Sequence, residues 1–67
     1  MNDINWRIIT EDKSLFLEEN KDKRIIAETI NGLIWDSFAR YVDPYTHVLK
    51  DCQYKVERYA YYTYPNY

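Results

Sequence analysis

The chain has 67 residues, of which 46% are hydrophobic and 18% aromatic, and its net charge is −2. This length predicts a single domain spanning residues 1–67, and the hydrophobic content excludes a disordered chain. The slightly negative charge argues against direct binding of nucleic acid, which depends on Lys and Arg side chains that neutralise phosphates.

The rarest residue types limit the chemistry that the chain can perform. Cys52 and His47 are the only cysteine and histidine, which excludes an internal disulfide and a closed zinc site built from Cys and His alone. No third group in the sequence is evident that would orient the pair as a nucleophile and its base. We therefore predict that the protein is not an enzyme and that it holds no metal or cofactor.

The sequence also predicts where the protein works. A free thiol is typical of a reducing compartment, and residues 1–5 lack the basic and apolar regions of a secretion signal. No apolar run approaches the length needed to cross a membrane. We expect a cytoplasmic protein with no membrane partner.

The first part of the chain has the pattern of a β-hairpin. Residues 5–10 alternate between apolar and polar side chains, which predicts a strand. A short polar turn follows, and residues 14–18 predict a second strand. A charged segment over residues 19–23 then separates this hairpin from the rest.

The middle segment, residues 22–42, has the apolar spacing of a helix. Its large apolar residues recur at intervals of three and four and form one stripe: Ile26, Ile30, Leu33, Ile34, Phe38 and Tyr41. Asp43-Pro44 would end such a helix, because the residue before proline avoids helical backbone angles.

A hairpin is the alternative for the same segment, because Asn31-Gly32 between apolar residues is a strong signal for a tight turn. Its faces would be mixed, however, since Asp36 would share a face with Ile34 and Glu28 would share one with Ile26. Helical spacing accommodates more residues, so we predict a helix over residues 22–42.

Two further strands are predicted, over residues 45–50 and 54–64, and the second has the clearest alternation in the chain. The order of elements predicts an α+β fold, in which a small antiparallel β-β-α-β-β sheet has one helix packed on one face. The alternative is an all-β meander.

The last predicted strand is rich in tyrosine and is the first candidate for a contact surface. Tyr59 and Tyr61 lie on one face, and Tyr64 lies on the other beside Arg58. Tyrosine is enriched in interfaces, although the same rings also stabilise neighbouring strands. An alternative function is binding of single-stranded nucleic acid, with bases stacked on Tyr59 and Tyr61 near Lys55.

The predicted helix supplies the other candidates. Trp35 would project from its polar side, where an exposed Trp suggests a contact residue, unless the segment is a strand and Trp35 is buried. Glu28 and Asp36 belong to an acidic surface that could meet a basic partner, or that is simply solvated. The predicted partner-binding residues are Glu28, Trp35, Asp36, Arg58, Tyr59, Tyr61 and Tyr64.

These observations predict a small protein-binding module, which forms a homodimer if its final strand is an open edge. Its size, its lack of catalytic motifs and its aromatic and acidic surface resemble those of small phage-encoded inhibitors of bacterial defence, such as anti-CRISPR proteins. The resemblance covers size, composition and layout, and no motif assigns a role to any residue. It implies stoichiometric binding to a nuclease or a nucleic-acid surveillance complex in the host cytoplasm.

Overall fold

A computed structural model describes residues 4–62, and an antiparallel sheet dominates it. Its five strands are β1 (Arg7–Ile8), β2 (Arg24–Thr29), β3 (Ile34–Phe38), β4 (Val48–Leu49) and β5 (Tyr54–Tyr61). The strand order is β1-β5-β2-β3, and β4 also pairs with β5. The helical segments of this part of the chain are short 3-10 helices, at Lys13–Phe16, Glu18–Asn20 and Ala39–Tyr41. The predicted antiparallel sheet is confirmed, but the fold is predominantly β and closer to the all-β alternative than to α+β.

The predicted helix over residues 22–42 is wrong, because this segment forms the hairpin of β2 and β3. Burial alternates along β2, where Ile25 and Ala27 face the core. Ile30 and Ile34, which helical spacing placed in the buried stripe, are 64% and 55% exposed. A period of two therefore describes burial here better than a period of 3.6.

The hairpin turns at Asn31-Gly32, but it does not use the two-residue turn that this dipeptide usually forms. The Thr29 N–H donates to the Leu33 carbonyl at 2.9 Å, which closes a three-residue loop. The Gly32 N–H donates to the Thr29 carbonyl at 3.0 Å, and Gly32 has a φ of 85°. A type I turn followed by one left-handed residue has this pattern, so the positive φ falls on the glycine.

The predicted strand over residues 14–18 is also wrong, since the chain forms 3-10 helices there. The Asp12 carboxylate accepts the Ser14 N–H at 3.0 Å and caps the first of them. The Asn20 amide donates to the Ser14 carbonyl at 2.8 Å and ties the second helix to the first. Leu15 is thereby held in the core.

The other predicted strands are present over shorter spans. Residues 5–10 contain β1, residues 45–50 contain β4, and β5 lies within residues 54–64. No helix in the described part of the chain is long and apolar enough to cross a bilayer.

The core lies on one face of the sheet, and β5 is an interior strand of that sheet. Tyr59 on β5 is completely buried. The buried cluster consists of Ile9, Leu15, Ile25, Ala27, Ala39, Val42, Leu49, Val56 and Tyr59. Because β5 pairs with β2 on one side and β1 on the other, it is not an open edge. The homodimer that we expected through an open final strand therefore loses its structural basis.

Candidate functional site

The sheet has a second face, opposite the core, which we call the outer face. Side chains of successive residues point to opposite faces of a strand, so the register assigns each residue to one face. Glu28 lies opposite Ile34 on β3 and opposite Arg58 on β5, and Arg58 lies opposite Ile8 on β1. The outer face consists of Trp6, Ile8, Arg24, Ile26, Glu28, Ile34, Asp36, Phe38, Arg58, Ala60 and Tyr62.

Arg58 occupies the middle of one group of contacts on the outer face. Its Nε donates a hydrogen bond to the Glu28 carboxylate across the β2–β5 pair. Its guanidinium carbon lies 4.2 Å from the centre of the Trp6 ring, within the range of a cation–π contact. All three side chains are half-buried. The guanidinium is therefore held between a carboxylate and an aromatic ring.

Arg24 repeats this arrangement further along β2. Its Nη2 lies 3.4 Å from an Asp36 carboxylate oxygen on β3. Its guanidinium carbon lies 5.0 Å from the Phe38 ring centre and 5.8 Å from that of Tyr62. Each of these two arginines thus contacts a carboxylate from a neighbouring strand and at least one aromatic ring, so the charges on the outer face largely cancel.

Apolar side chains surround these paired charges. Ile8 and Ile34 are exposed, while Ile26 and Phe38 are half-buried. Contact surfaces that bind proteins combine apolar and aromatic area with few uncompensated charges at their centre. The outer face has this composition, and its arginines and tryptophan belong to the residue types that contribute most to binding energy.

The structure brings three of the predicted partner-binding residues together, since Glu28, Asp36 and Arg58 all lie on the outer face. Trp35 lies opposite the core-facing Ala27, so it projects to the core side of the sheet and not to the outer face. There it is 36% exposed. Tyr64 lies outside the described residues.

Tyr59 and Tyr61 belong to the core side and form a structural network. The completely buried Tyr59 has no surface to present to a partner, which corrects its prediction as a contact residue. Its hydroxyl donates to the Asp12 carbonyl at 3.0 Å, and the Ser14 hydroxyl lies 3.3 Å from both tyrosine oxygens. Burial raises the pKa of Tyr59 to about 12. The half-buried Tyr61 meets Tyr59 edge to face, with ring centres 5.5 Å apart.

His47 and Cys52 have different surroundings in the described structure. The buried His47 ring stacks on Phe16 at 5.7 Å, and its Nε2 lies 3.3 Å from the Lys13 ammonium. Cys52 packs against the core and does not line the cavity beside His47. Within residues 4–62, no group of three or more His, Cys, Asp or Glu side chains is arranged to hold a metal ion.

Sequence reasoning missed several residues of the outer face, among them Trp6, Arg24 and Phe38. The available signal lay in the hairpin alternative, whose two strands include Arg24 and Phe38, and the observed register places these two residues directly opposite each other. Trp6 had no comparable signal, because its contact with Arg58 joins residues far apart in sequence. No family model, curated protein or solved structure matches the chain.

Proposed function

We propose that this chain is a small non-enzymatic protein-binding module that contacts its partner through the outer face. The observation that supports this most strongly is the group formed by Trp6, Arg58 and Glu28. Arginine and tryptophan dominate binding energy where they are packed and partly shielded from water, and here each holds the other in place.

The charges of the outer face define the kind of partner. Arg58 is paired with Glu28 and Arg24 with Asp36, so the face has little net charge to attract a phosphate backbone. The exposed Ile8 and Ile34 favour an apolar surface instead. The expected partner therefore has an apolar patch with polar groups at its rim.

The resemblance to phage-encoded inhibitors extends the proposal to a biological role. In that role the partner is a bacterial defence nuclease or a surveillance complex in the host cytoplasm. The chain acts by covering a functional surface in a fixed stoichiometry, because a binding module without a reactive site inhibits by occupancy.

The alternative of a single-stranded nucleic-acid-binding domain depended on a stacking platform made of Tyr59 and Tyr61. Burial removes Tyr59 from that platform. Arg7 and Lys23 each lie 5.3 Å from the Tyr61 ring centre, where they compete with a base for the ring. The protein-binding function is therefore the better supported of the two.

The test is affinity capture from bacterial lysate with the wild-type chain and two matched variants. Ile34→Glu places a charge on the exposed part of the outer face, whereas Leu17→Glu makes the same change at an exposed apolar residue elsewhere. We expect one or more partners to be retained by the wild type and Leu17→Glu and lost with Ile34→Glu. Capture that is equal for all three chains, or no specific capture by any, would contradict the proposal.

A further inference from the structure

The turn between β2 and β3 contains the one Asn-Gly step of the chain, at Asn31-Gly32. Asparagine is chemically labile, most of all before glycine, which has no side chain to shield its backbone nitrogen. Apart from its chain neighbours, no described residue has an atom within 4 Å of the position of a Gly32 Cβ. Asn31 is exposed, so water reaches it. Neither steric shielding nor exclusion of water therefore protects this step.

The reaction open to this step is an intramolecular substitution at the Asn31 amide. The Gly32 nitrogen forms a bond to the Asn31 Cγ, and the bond from Cγ to the side-chain nitrogen breaks. The side-chain nitrogen leaves as ammonia, with the proton that the Gly32 nitrogen gives up. Water then opens the succinimide ring at either carbonyl and yields aspartate or isoaspartate. Both products add a negative charge, and isoaspartate also adds one carbon atom to the main chain.

In the folded chain, Thr29 binds both of the groups that would react. The Gly32 N–H donates to the Thr29 carbonyl at 3.0 Å, and this bond must open before the nitrogen can lose its proton. The Thr29 hydroxyl donates to the Asn31 Oδ1 at 2.5 Å, which fixes the position of the amide group. The attacking atom and the amide under attack are thus both held by one residue of β2.

The direction of the Thr29 hydroxyl follows from its other contacts. A hydroxyl has a single proton to donate. The Leu33 N–H donates to the Thr29 Oγ1 at 3.1 Å, so the hydroxyl oxygen is the acceptor in that contact. The Leu33 carbonyl is a more distant acceptor for the proton, at 3.4 Å, than the Asn31 Oδ1. Thr29 is only 1% exposed, so water competes little for this bond.

We propose that Asn31 is a modification site that Thr29 protects in the folded chain and that becomes reactive when the turn opens. Hairpin turns open locally without unfolding of the rest of a protein. The additional main-chain atom of isoaspartate does not fit the three-residue loop that the Thr29 N–H closes on the Leu33 carbonyl. The product would therefore lose the register of β2 and β3, which builds part of the outer face.

The experiment follows the deamidation of Asn31 in the full chain by mass spectrometry of its proteolytic peptides. Samples are incubated in buffer and in guanidinium chloride at the same neutral pH and temperature. We expect deamidation to be at least about tenfold slower in buffer, because two hydrogen bonds must open before the folded chain can react. Equal rates in the two solutions would overturn the proposal.

Three variants assign the protection to the Thr29 hydroxyl. Thr29→Val removes the hydroxyl and should deamidate about fivefold faster in buffer, the fold-change equivalent to one hydrogen bond. Thr29→Ser keeps the hydroxyl and should react at the wild-type rate. Tyr59→Phe loses a hydrogen bond elsewhere in the core and controls for a general loss of stability.

In guanidinium chloride all four chains should deamidate at one rate, because Thr29 does not alter the chemistry of an unfolded Asn-Gly step. The proposal would be wrong if Thr29→Val reacted in buffer no faster than Tyr59→Phe, or if Thr29→Ser reacted as fast as Thr29→Val.

Discussion

The guanidinium of Arg58 lies 4.2 Å from the centre of the Trp6 ring, and this contact joins the segment before β1 to the middle of the sheet. Arg58 is also hydrogen-bonded to Glu28, so its position is fixed from two directions. A side chain held in this way loses little further conformational entropy when a partner covers it. The contact therefore prepares the outer face for binding and also stabilises the folded chain.

The first prediction concerns the energy of this contact. A double-mutant cycle of Trp6→Ala and Arg58→Ala should give a coupling of about 0.5–1 kcal/mol, the range for a partly exposed cation–π pair. Urea unfolding of the four proteins measures it. Trp6→Ala combined with Lys50→Ala serves as the control and should be additive. Additivity in the Trp6 and Arg58 cycle would show that the two side chains do not stabilise each other.

The second prediction concerns the turn between β2 and β3. Gly32→Ala should destabilise the fold by about 1 kcal/mol, because a Cβ disfavours the left-handed region. No atom lies within 4 Å of the position that the Cβ would take, so the cost comes from the backbone alone. Thermal or urea unfolding measures it.

Gln53 is the matched control for this argument, because it has a φ of 65° without being glycine. Gln53→Gly should be more stable than Gln53→Ala by about 1 kcal/mol, because glycine has no Cβ to disfavour the left-handed region. Both variants lose the hydrogen bond from the Gln53 amide to the Lys50 carbonyl, so their difference isolates the backbone. Equal stability of the two variants would contradict the prediction.

The hairpin at this turn shows how far the sequence could predict the fold. β5 was predicted correctly as a strand within the described residues, because its Tyr and Val side chains favour strands. In β2 the adjacent Ile25 and Ile26 conceal the alternation, since one faces the core and the other lies on the outer face. Glu28 and Asp36 then appeared incompatible with a sheet, because the arginines that neutralise them could not be identified before the register was known.

The candidate site was predictable only in part for the same reason. Composition and spacing identified Glu28, Asp36 and Arg58 individually, and the register then placed them on one face. A bulge at Glu57, where Glu28 pairs with Arg58 but Thr29 pairs with Val56, was not predicted from the sequence. The adjacent charged residues Glu57 and Arg58 interrupt the alternation there, and the bulge brings Val56 and Tyr59 to the same core face. Tyr59 was predicted to be a contact residue because a Tyr side chain is amphipathic. The hydrogen-bond partners of its hydroxyl group, Ser14 and Asp12, lie far away in sequence and could not be identified beforehand.

The third prediction is a pH dependence that comes from His47. Burial and nearby lysines hold the pKa of His47 below 6.5, so the unfolded chain binds a proton at a pH where the folded chain does not. The contribution of His47 to stability is complete above pH 6.5 and decreases as the pH falls toward the pKa of the folded state. Urea midpoints measured from pH 7 down to pH 5 should therefore decrease.

His47→Asn is the variant that tests this assignment, because asparagine does not titrate and tolerates the left-handed backbone. It loses the stacking on Phe16 and is expected to be less stable at every pH. Its stability should nevertheless change less between pH 7 and pH 5 than that of the wild type. An equally steep decrease in the variant would assign the pH dependence to other groups.

The fourth prediction concerns the hydroxyl of Tyr59. Tyr59→Phe removes the donor to the Asp12 carbonyl and should cost about 1 kcal/mol, the usual value of one hydrogen bond. Tyr45→Phe is the control, since Tyr45 is almost fully exposed. Urea unfolding compares the two variants with the wild type, and equal stability of all three would show that the network does not stabilise the core.

The most direct test of the protein-binding function is the affinity of the outer face for a purified partner obtained by the capture experiment. Calorimetry should show that Arg58→Ala weakens binding about thirtyfold, the effect expected of a residue that contributes about 2 kcal/mol at the centre of an interface. Lys50→Ala, which changes an exposed residue of the turn before β5, should bind as the wild type does. Equal affinity of Arg58→Ala and the wild type would contradict the assignment of binding to the outer face.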